Sequence, residues 1–210
     1  MNRTLEHILP NVQKPARYTG GEYNAVVKEK NQVSVRYALC FPDTYEIGMS
    51  NLGCRILYGV MNERPDVWCE RCFAPWGDME EAMRREGLLL YGLESGDPIA
   101  EFDIIGFSLG YEMAYTNVLN MLDLAGLPLR SGERTSLAPL VVAGGTCCYN
   151  PEPLAPFVDL FVLGEGEEVT LEYIDLYRQA QEEGWTKEEF LEDAAKIPGI
   201  YVPSFYEPIY

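Results

Sequence analysis

The chain is constrained most by one unit, VSVRYALCFPDTYEIGMSNLG at Val33–Gly53, and by the recurrence of its pattern. Val33, Val35, Tyr37, Leu39 and Phe41 alternate with their neighbours, as one side of a strand does. The run breaks at Pro42-Asp43, and a short polar loop, Asp43–Gly48, follows. From Ser50 the apolar residues Leu52, Ile56, Leu57, Val60 and Met61 fall at helical spacing. The same order returns along the chain. Val67–Phe73 precedes a helical pattern at 78–86. Asp103–Leu109 precedes another at 115–125, which Gly126 stops. Leu140–Ala143 leads through Gly144-Gly145 to a short helical turn, and Val158–Leu163 leads into a helix over Val169–Gln181.

Strands alternating with helices dictate a parallel sheet covered on both faces. The expected fold class is α/β, a three-layer Rossmann-like (flavodoxin-like) five-stranded parallel sheet in the order 2-1-3-4-5, with an N-terminal appendage. Residues 1–32 are the appendage and 33–185 the domain. Residues 186–210 are expected as a linker into a following domain, because the aromatic tail GIYVPSFYEPIY has no element after it to pack on; the alternative is a C-terminal edge strand, since Pro203 and Pro208 are tolerated only at sheet edges. In a sheet of this order ligands sit at the carboxyl ends of the strands. Three loops, Asp43–Gly48, Ser108–Glu112 and Gly144–Tyr149, should share that rim, with Gly164–Glu167 beside them.

A net charge of -17 repels phosphate backbones, so the segment is not expected to bind nucleic acid by itself. No apolar run is long enough to span a membrane and the first residues lack a signal-peptide core, which makes the cytoplasm the expected location. Cys40 and Cys54 fall in apolar patterns and read as core thiols. Cys69-Glu-Arg-Cys72 has the spacing of half a zinc site. However, the chain holds no second such pair and a single histidine, His7, and strand residues three apart face opposite sides.

No hydrolytic triad can be drawn around His7. No G-x-G-x-x-G or G-x-x-x-x-G-K-[ST] occurs, so phosphate binding of those kinds is not supported. Gly144-Gly145 and Gly164-Glu165-Gly166 permit close approach of another group to the backbone, or serve only their turns. The rim carboxylates Asp43, Glu46, Glu112, Glu165 and Glu167 could bind a cation, but such carboxylates are more often charges placed favourably at the amino termini of helices. The spacing C-x-x-x-C-x-x-C is absent from these 210 residues.

Five ordered motifs carry a resemblance. They are KPARYTGGEYNAV at 14–26, FPDTYEIGMSNLG at 41–53, FAPWGDME at 73–80, GFSLGYEM at 106–113 and GEGEE at 164–168. Together they resemble radical S-adenosylmethionine proteins with a B12-binding-like N-terminal domain. The cobalamin-binding pattern D-x-H-x-x-G is similar to Asp43-Thr44-Tyr45-Glu46-Ile47-Gly48, S-x-L to Ser108-Leu109, and G-G to Gly144-Gly145. The resemblance implies a cofactor cleft lined by Asp43, Thr44, Tyr45, Gly48, Ser108, Leu109, Gly144, Gly145, Gly164, Glu165 and Gly166. It implies cobalamin here. A [4Fe-4S] cluster and S-adenosylmethionine are implied only in a C-terminal radical domain of the same polypeptide, which would be this segment's partner. Tyr45 stands where the pattern has its cobalt-ligating histidine, and a phenol with an ordinary pKa of about 10 matches that role poorly. Two readings stay open: a corrinoid held without a ligand from this loop, and a cofactor-free docking module of the same fold. An FMN-type flavodoxin is disfavoured, because the first loop lacks a Ser/Thr/Gly-rich phosphate cradle.

Overall fold

Six strands run in the order β2-β1-β3-β4-β5-β6 in a computed structural model that describes residues 3–207 and 209. β1 (Val35–Phe41), β2 (Val67–Phe73), β3 (Ile104–Ser108), β4 (Leu140–Gly144) and β5 (Leu160–Val162) are mutually parallel, and β6 (Ile200–Tyr201) is antiparallel to β5. The helices are α1 (Arg3–Ile8), α2 (Tyr45–Ser50), α3 (Leu52–Glu63), α4 (Gly77–Glu86), α5 (Tyr115–Leu124), α6 (Gly166–Glu183) and α7 (Lys187–Ala194).

The α/β class and the parallel sheet agree with the sequence pattern, but the strand count and order need correction. The expected 2-1-3-4-5 is extended to 2-1-3-4-5-6. Gly199, at φ +90, turns the chain back, the Leu163 N–H donates to its carbonyl at 2.7 Å, and the Tyr201 ring lies 6.1 Å from that of Phe161. Pro203 falls just beyond the pairing, where its missing N–H costs nothing. A second correction concerns Asp43–Gly48. It is not a simple loop, because α2 begins at Tyr45. Gly48 is the reason: a Cβ there would lie 2.2 Å from the Phe73 ring, so only glycine lets this short helix settle on Phe41 and Phe73.

Strand side chains alternate between two cores, as a period of two requires. Ala38, Cys40, Cys72, Ile105, Phe107, Val141 and Phe161 face α1, α4 and α5. Val35, Tyr37, Leu39, Ile104, Val142 and Val162 face α3, α6 and α7. Cys69 and Cys72 therefore lie on opposite faces, and all six cysteines are buried and free. The segments at 1–32 and 186–210 contribute to these cores. Leu5, Ile8 and Tyr18 enter the first, and Phe190, Leu191, Ala194 and Val202 the second. Met1, Asn2, Pro208 and Tyr210 of those segments lie outside the described residues.

Three strands are entered through an aspartate that braces its neighbours. Asp66 accepts from Arg64 and Arg178, and its backbone carbonyl takes the N–H groups of Ser34 and Val35. Asp103 accepts from the Arg36 N–H at 2.7 Å and from Gln181. Asp159 is the most buried. It accepts from the Val141 N–H, from Arg134 at 3.2 Å and from Lys187 at 2.8 Å. The same two cations also donate to the carbonyls of Pro128, Leu129, Phe157 and Arg134. Lys187 sits in the first turn of α7, which starts with a capping box between Thr186 and Glu189, so this cluster fastens α7 to the sheet.

Candidate functional site

At the carboxyl end of the sheet the two faces differ. On the first face, Phe107, Ala143 and Phe161 fill the space up to α5 and the buried Cys148 and Leu154. On the second face the residues in register are Gly106 and Ser108 on β3 and Gly144 on β4, followed by Gly164 beyond β5. Three of these four have no side chain, so the space between the sheet and α3 and α6 is left unfilled there. A cleft of about 450 Å³ results. That volume lies in the range of small-molecule sites, roughly 300–1,000 Å³.

Leu39, Leu57, Val142 and Val162 form its apolar walls. Its deep end carries Tyr37 of β1 and Tyr173 of α6, whose hydroxyls are 2.8 Å apart. The Tyr37 phenol crosses over Gly106, where a Cβ would lie 1.8 Å from its oxygen. Burial pushes both phenols well above their ordinary pKa, so both remain protonated hydroxyls. The mouth is made by Gly145, Thr146, the exposed Tyr149, Glu165 and Glu167 at the start of α6. Among the lining residues Glu165 and Glu167 carry the charge, and no cation faces them.

Of the residues expected at a site, Ser108, Gly144, Gly145, Gly164, Glu165 and Gly166 line this cleft. Leu109 is buried behind it. Its N–H donates to the Gly144 carbonyl at 2.7 Å and its own carbonyl accepts from Cys147. That contact fixes Gly145, whose φ of +109 and 2.5 Å Cβ clearance to the Leu109 oxygen both demand glycine.

Asp43, Thr44, Tyr45 and Gly48 are not brought to the same place. Asp43 accepts from the Thr44 N–H at 2.6 Å and from the Tyr111 hydroxyl. The Thr44 carbonyl accepts the N–H groups of Ile47 and Gly48 in α2. The Tyr45 ring packs edge-on against Phe73 at 5.5 Å, away from the cleft, and burial raises its pKa, with help from the nearby Glu22. The rim carboxylates disperse as well. Glu46 is held by Arg17 and Lys14, which lower its pKa to about 2. Among the described residues no cluster of three or more His, Cys, Asp and Glu could hold a metal ion.

Sequence reasoning missed Tyr37, Gly106, Thr170 and Tyr173. The signal for Gly106 was present, because it stands two residues before Ser108 and shares its face. Tyr37 and Tyr173 are 136 residues apart, and only the packing of α6 across β1 joins them.

A second concavity of about 710 Å³ lies on the outer side of α3, between Leu52, Ile56 and Gly59 and the segment Glu22–Val26. Its floor holds Arg71, which is paired with Glu94 at 2.7 Å and Glu22 at 3.1 Å and lies over the Tyr58 ring. It has no loop from the carboxyl ends of β3, β4 or β5, and the Arg71 guanidinium at its floor is already paired.

No solved structure matches the chain. It is 28% identical over 141 residues to the uncharacterized protein MJ0966 of Methanocaldococcus jannaschii, a match that covers 66% of this chain and 26% of that protein. The chain thus spans about a quarter of the length of the curated relative it matches. No helix among the described residues is long and apolar enough to cross a membrane. The family model described as radical SAM proteins, N-terminal, matches residues 53–203, a stretch that contains the cleft's strand ends and α6 and begins after Gly48. With well over half of its length matched, the chain belongs to this family of radical S-adenosylmethionine protein N-terminal regions.

Proposed function

We propose that this segment is a non-catalytic N-terminal domain of a radical S-adenosylmethionine enzyme whose cleft takes the nucleotide tail of a corrinoid without a cobalt ligand from the Asp43–Gly48 segment. The observation that carries the reading is the trough opened by Gly106, Ser108, Gly144 and Gly164 between α3 and α6. A slot with apolar walls and glycines at its strand ends has room for a flat ring and the chain that follows it. Ser108, Gly144, Gly145, Gly164, Glu165 and Gly166 would hold that tail. Asp43, Thr44 and Gly48 would lie nearer the corrin side, with Tyr45 committed to its packing on Phe73. When bound, a corrinoid supplies methyl transfer or radical capture at cobalt. The chain's own residues bind, orient and exclude water. The [4Fe-4S] cluster and S-adenosylmethionine belong, in this reading, to a radical domain of the same cytoplasmic polypeptide, since the cluster motif is absent from these 210 residues.

Titration of the full-length protein with hydroxo- and methylcobalamin tests the reading. Saturable binding with a base-off absorbance spectrum is expected. Gly144→Val and Ser108→Trp should abolish it while circular dichroism stays unchanged, because both side chains would occupy the trough. A wild-type protein that binds neither corrinoid overturns the proposal.

One observation favours the cofactor-free docking reading. Ile47, Leu52, Trp76, Met113 and Tyr149 are exposed on loops and helix starts that follow the carboxyl ends of β1 to β4. If that rim or the aromatic stretch at Tyr201–Tyr206 only docks the catalytic region, changes there should weaken co-purification of separately expressed halves, and the two cleft variants should leave it intact.

A further inference from the structure

The loops at the carboxyl ends of β3, β4 and β5 share one chemistry. No lysine or arginine occurs at 86–129 or 135–177, the two stretches that build β3, α5, β4, β5 and α6 as far as Tyr177. Arg130 and Arg134, which stand between those stretches, lie at the other end of the sheet, over Phe157 and on Asp159. On the rim itself Glu112, Glu165 and Glu168 are exposed and enter no ion pair among the described residues. The cations of neighbouring elements do not offset them. Lys14 and Arg17 are held on Glu46, and Arg55 lines the concavity on the far flank of α3.

The same loops expose large apolar side chains: Tyr111, Met113 at 84% and Tyr149 at 73%. These loops are laced into one frame. The Tyr111 hydroxyl donates to Asp43, the Asn117 amide to the Pro42 carbonyl at 2.9 Å, the Thr146 hydroxyl to the Gly110 carbonyl at 3.3 Å and the Tyr115 hydroxyl to the Cys147 carbonyl at 3.2 Å. A surface fixed in this way loses little freedom when it is covered. Single apolar side chains scattered over a surface need no partner, but three on one fixed frame with carboxylates around them mark a docking face.

We propose that this rim docks a basic polypeptide segment, one that sets aliphatic or aromatic side chains on Tyr111, Met113 and Tyr149 and brings Lys or Arg to Glu112, Glu165 and Glu168. Charge complementarity fixes the occupant. A second copy carries the same net charge of -17 and, in a two-fold pair, would set carboxylate against carboxylate. Phosphate backbones and anionic lipid surfaces are repelled for the same reason. The inference needs no ligand in the cleft, so it goes beyond the corrinoid reading and stands or falls separately from it.

The test is fluorescence anisotropy of the 210-residue chain with three labelled amphipathic helical peptides, whose polar faces are Lys, Gln or Glu and whose apolar faces are Leu. The Leu/Lys peptide should bind at least about tenfold more tightly than the Leu/Gln one at about 0.05 M salt, and should lose most of that advantage by about 0.5 M. The Leu/Glu peptide should not bind. At about 0.15 M salt, Glu112→Lys/Glu165→Lys should weaken the Leu/Lys peptide at least about tenfold, and Met113→Ala/Tyr149→Ala by a similar factor. Glu182→Lys/Glu192→Lys changes the net charge equally at exposed positions late in α6 and in α7, and should leave the affinity within about twofold. Should circular dichroism show that the rim reversal disturbs the fold, Glu112→Gln/Glu165→Gln replaces it, with an expected loss of about threefold. Equal weakening by the remote pair means that the peptide follows overall charge, and it overturns the inference. No binding of the Leu/Lys peptide, or equal binding of the Leu/Gln one, does the same. A dimer in sedimentation that Met113→Ala/Tyr149→Ala dissociates makes a second copy the occupant and also overturns it. None of these outcomes bears on the corrinoid titration, so the two readings fail separately.

Discussion

The two ends of the sheet are built on opposite principles. At the amino end, strands begin with a carboxylate: Asp66 before β2, Asp103 before β3, Asp159 before β5. Each ties neighbouring strands or helices through charged hydrogen bonds, so that end is cross-linked and filled. At the carboxyl end the strands leave through Ser108, Gly144 and Gly164, and no ion pair crosses between α3 and α6 over the cleft among the described residues. Where α6 is joined by charge to the segment between α3 and β2, through Arg64 with Asp175 and Arg178 with Asp66, the joint lies at the amino end. Placing the polar cross-links at one end lets the other stay open without loosening the fold. This is the arrangement a ligand-binding sheet needs.

The contrast can be broken most forcefully at Asp159. Its carboxylate is almost wholly enclosed between Arg134 and Lys187, so Asp159→Ala leaves two buried cations unpaired. Urea unfolding should show a loss of about 3–5 kcal/mol, the usual result of removing one partner from a buried charge cluster. A loss below about 1 kcal/mol would mean that the amino end is not held by charge. Gly106→Ala attacks the carboxyl end. Its Cβ must displace the Tyr37 hydroxyl, a change of the overpacking kind, with an expected cost of about 1–3 kcal/mol. The corrinoid binding proposed above should fall with it, whereas Asp159→Ala, measured at a temperature where it is folded, should leave the cleft as it is in the wild type. Thr186→Ala removes the capping hydroxyl of α7 beside the Asp159 cluster and should cost about 1 kcal/mol.

The smallest expected effect is a pH dependence at Asp66. Arg64 above all holds this carboxyl below its ordinary pKa, so the folded protein binds its proton less readily than the unfolded chain. Its contribution is therefore complete above the ordinary carboxylate pKa of about 3.9 and is lost as pH falls through the depressed value. Asp66→Asn should lower stability near pH 7 by up to about 1 kcal/mol, given the partial exposure of the pair, and the difference from wild type should vanish near pH 2. A difference that is constant across that range would assign Asp66 a role independent of its charge.

Much of this organisation is written in short-range pattern. VWCERCF is bounded by Pro65-Asp66 and Ala74-Pro75, and its strand falls where the alternation puts it. The helices at 77–86 and 115–124 are equally plain, because their apolar stripes repeat every three or four residues. Asp43–Gly48 misleads because a short polar stretch after Pro42 reads as a loop, when its Gly48 is a contact surface that seats a short helix on Phe73. Ile200–Tyr201 carries no periodicity of its own, being two residues; of the two readings of the tail the edge strand holds there, and what makes it a strand is the exposed edge of β5. The glycine and serine side of the cleft was legible for the same reason as the strands: small residues at strand ends are local. The hydroxyl floor was not, since it is created by a contact between the first strand and the sixth helix.

β6 also has a bearing on how the protein behaves among its neighbours. It occupies the open side of β5, and the opposite border, β2, is sealed by side chains. Asn62 donates to the Cys69 carbonyl and accepts its N–H, Lys28 reaches the Val67 carbonyl, and Leu93 with Glu94 satisfies both backbone groups of Arg71. An unsatisfied border is where sheets of different molecules fuse. With β2 sealed and the other border reduced to the two residues of β6, neither edge offers a long template for a further strand, which works against fibrous self-association despite the long hydrophobic strands.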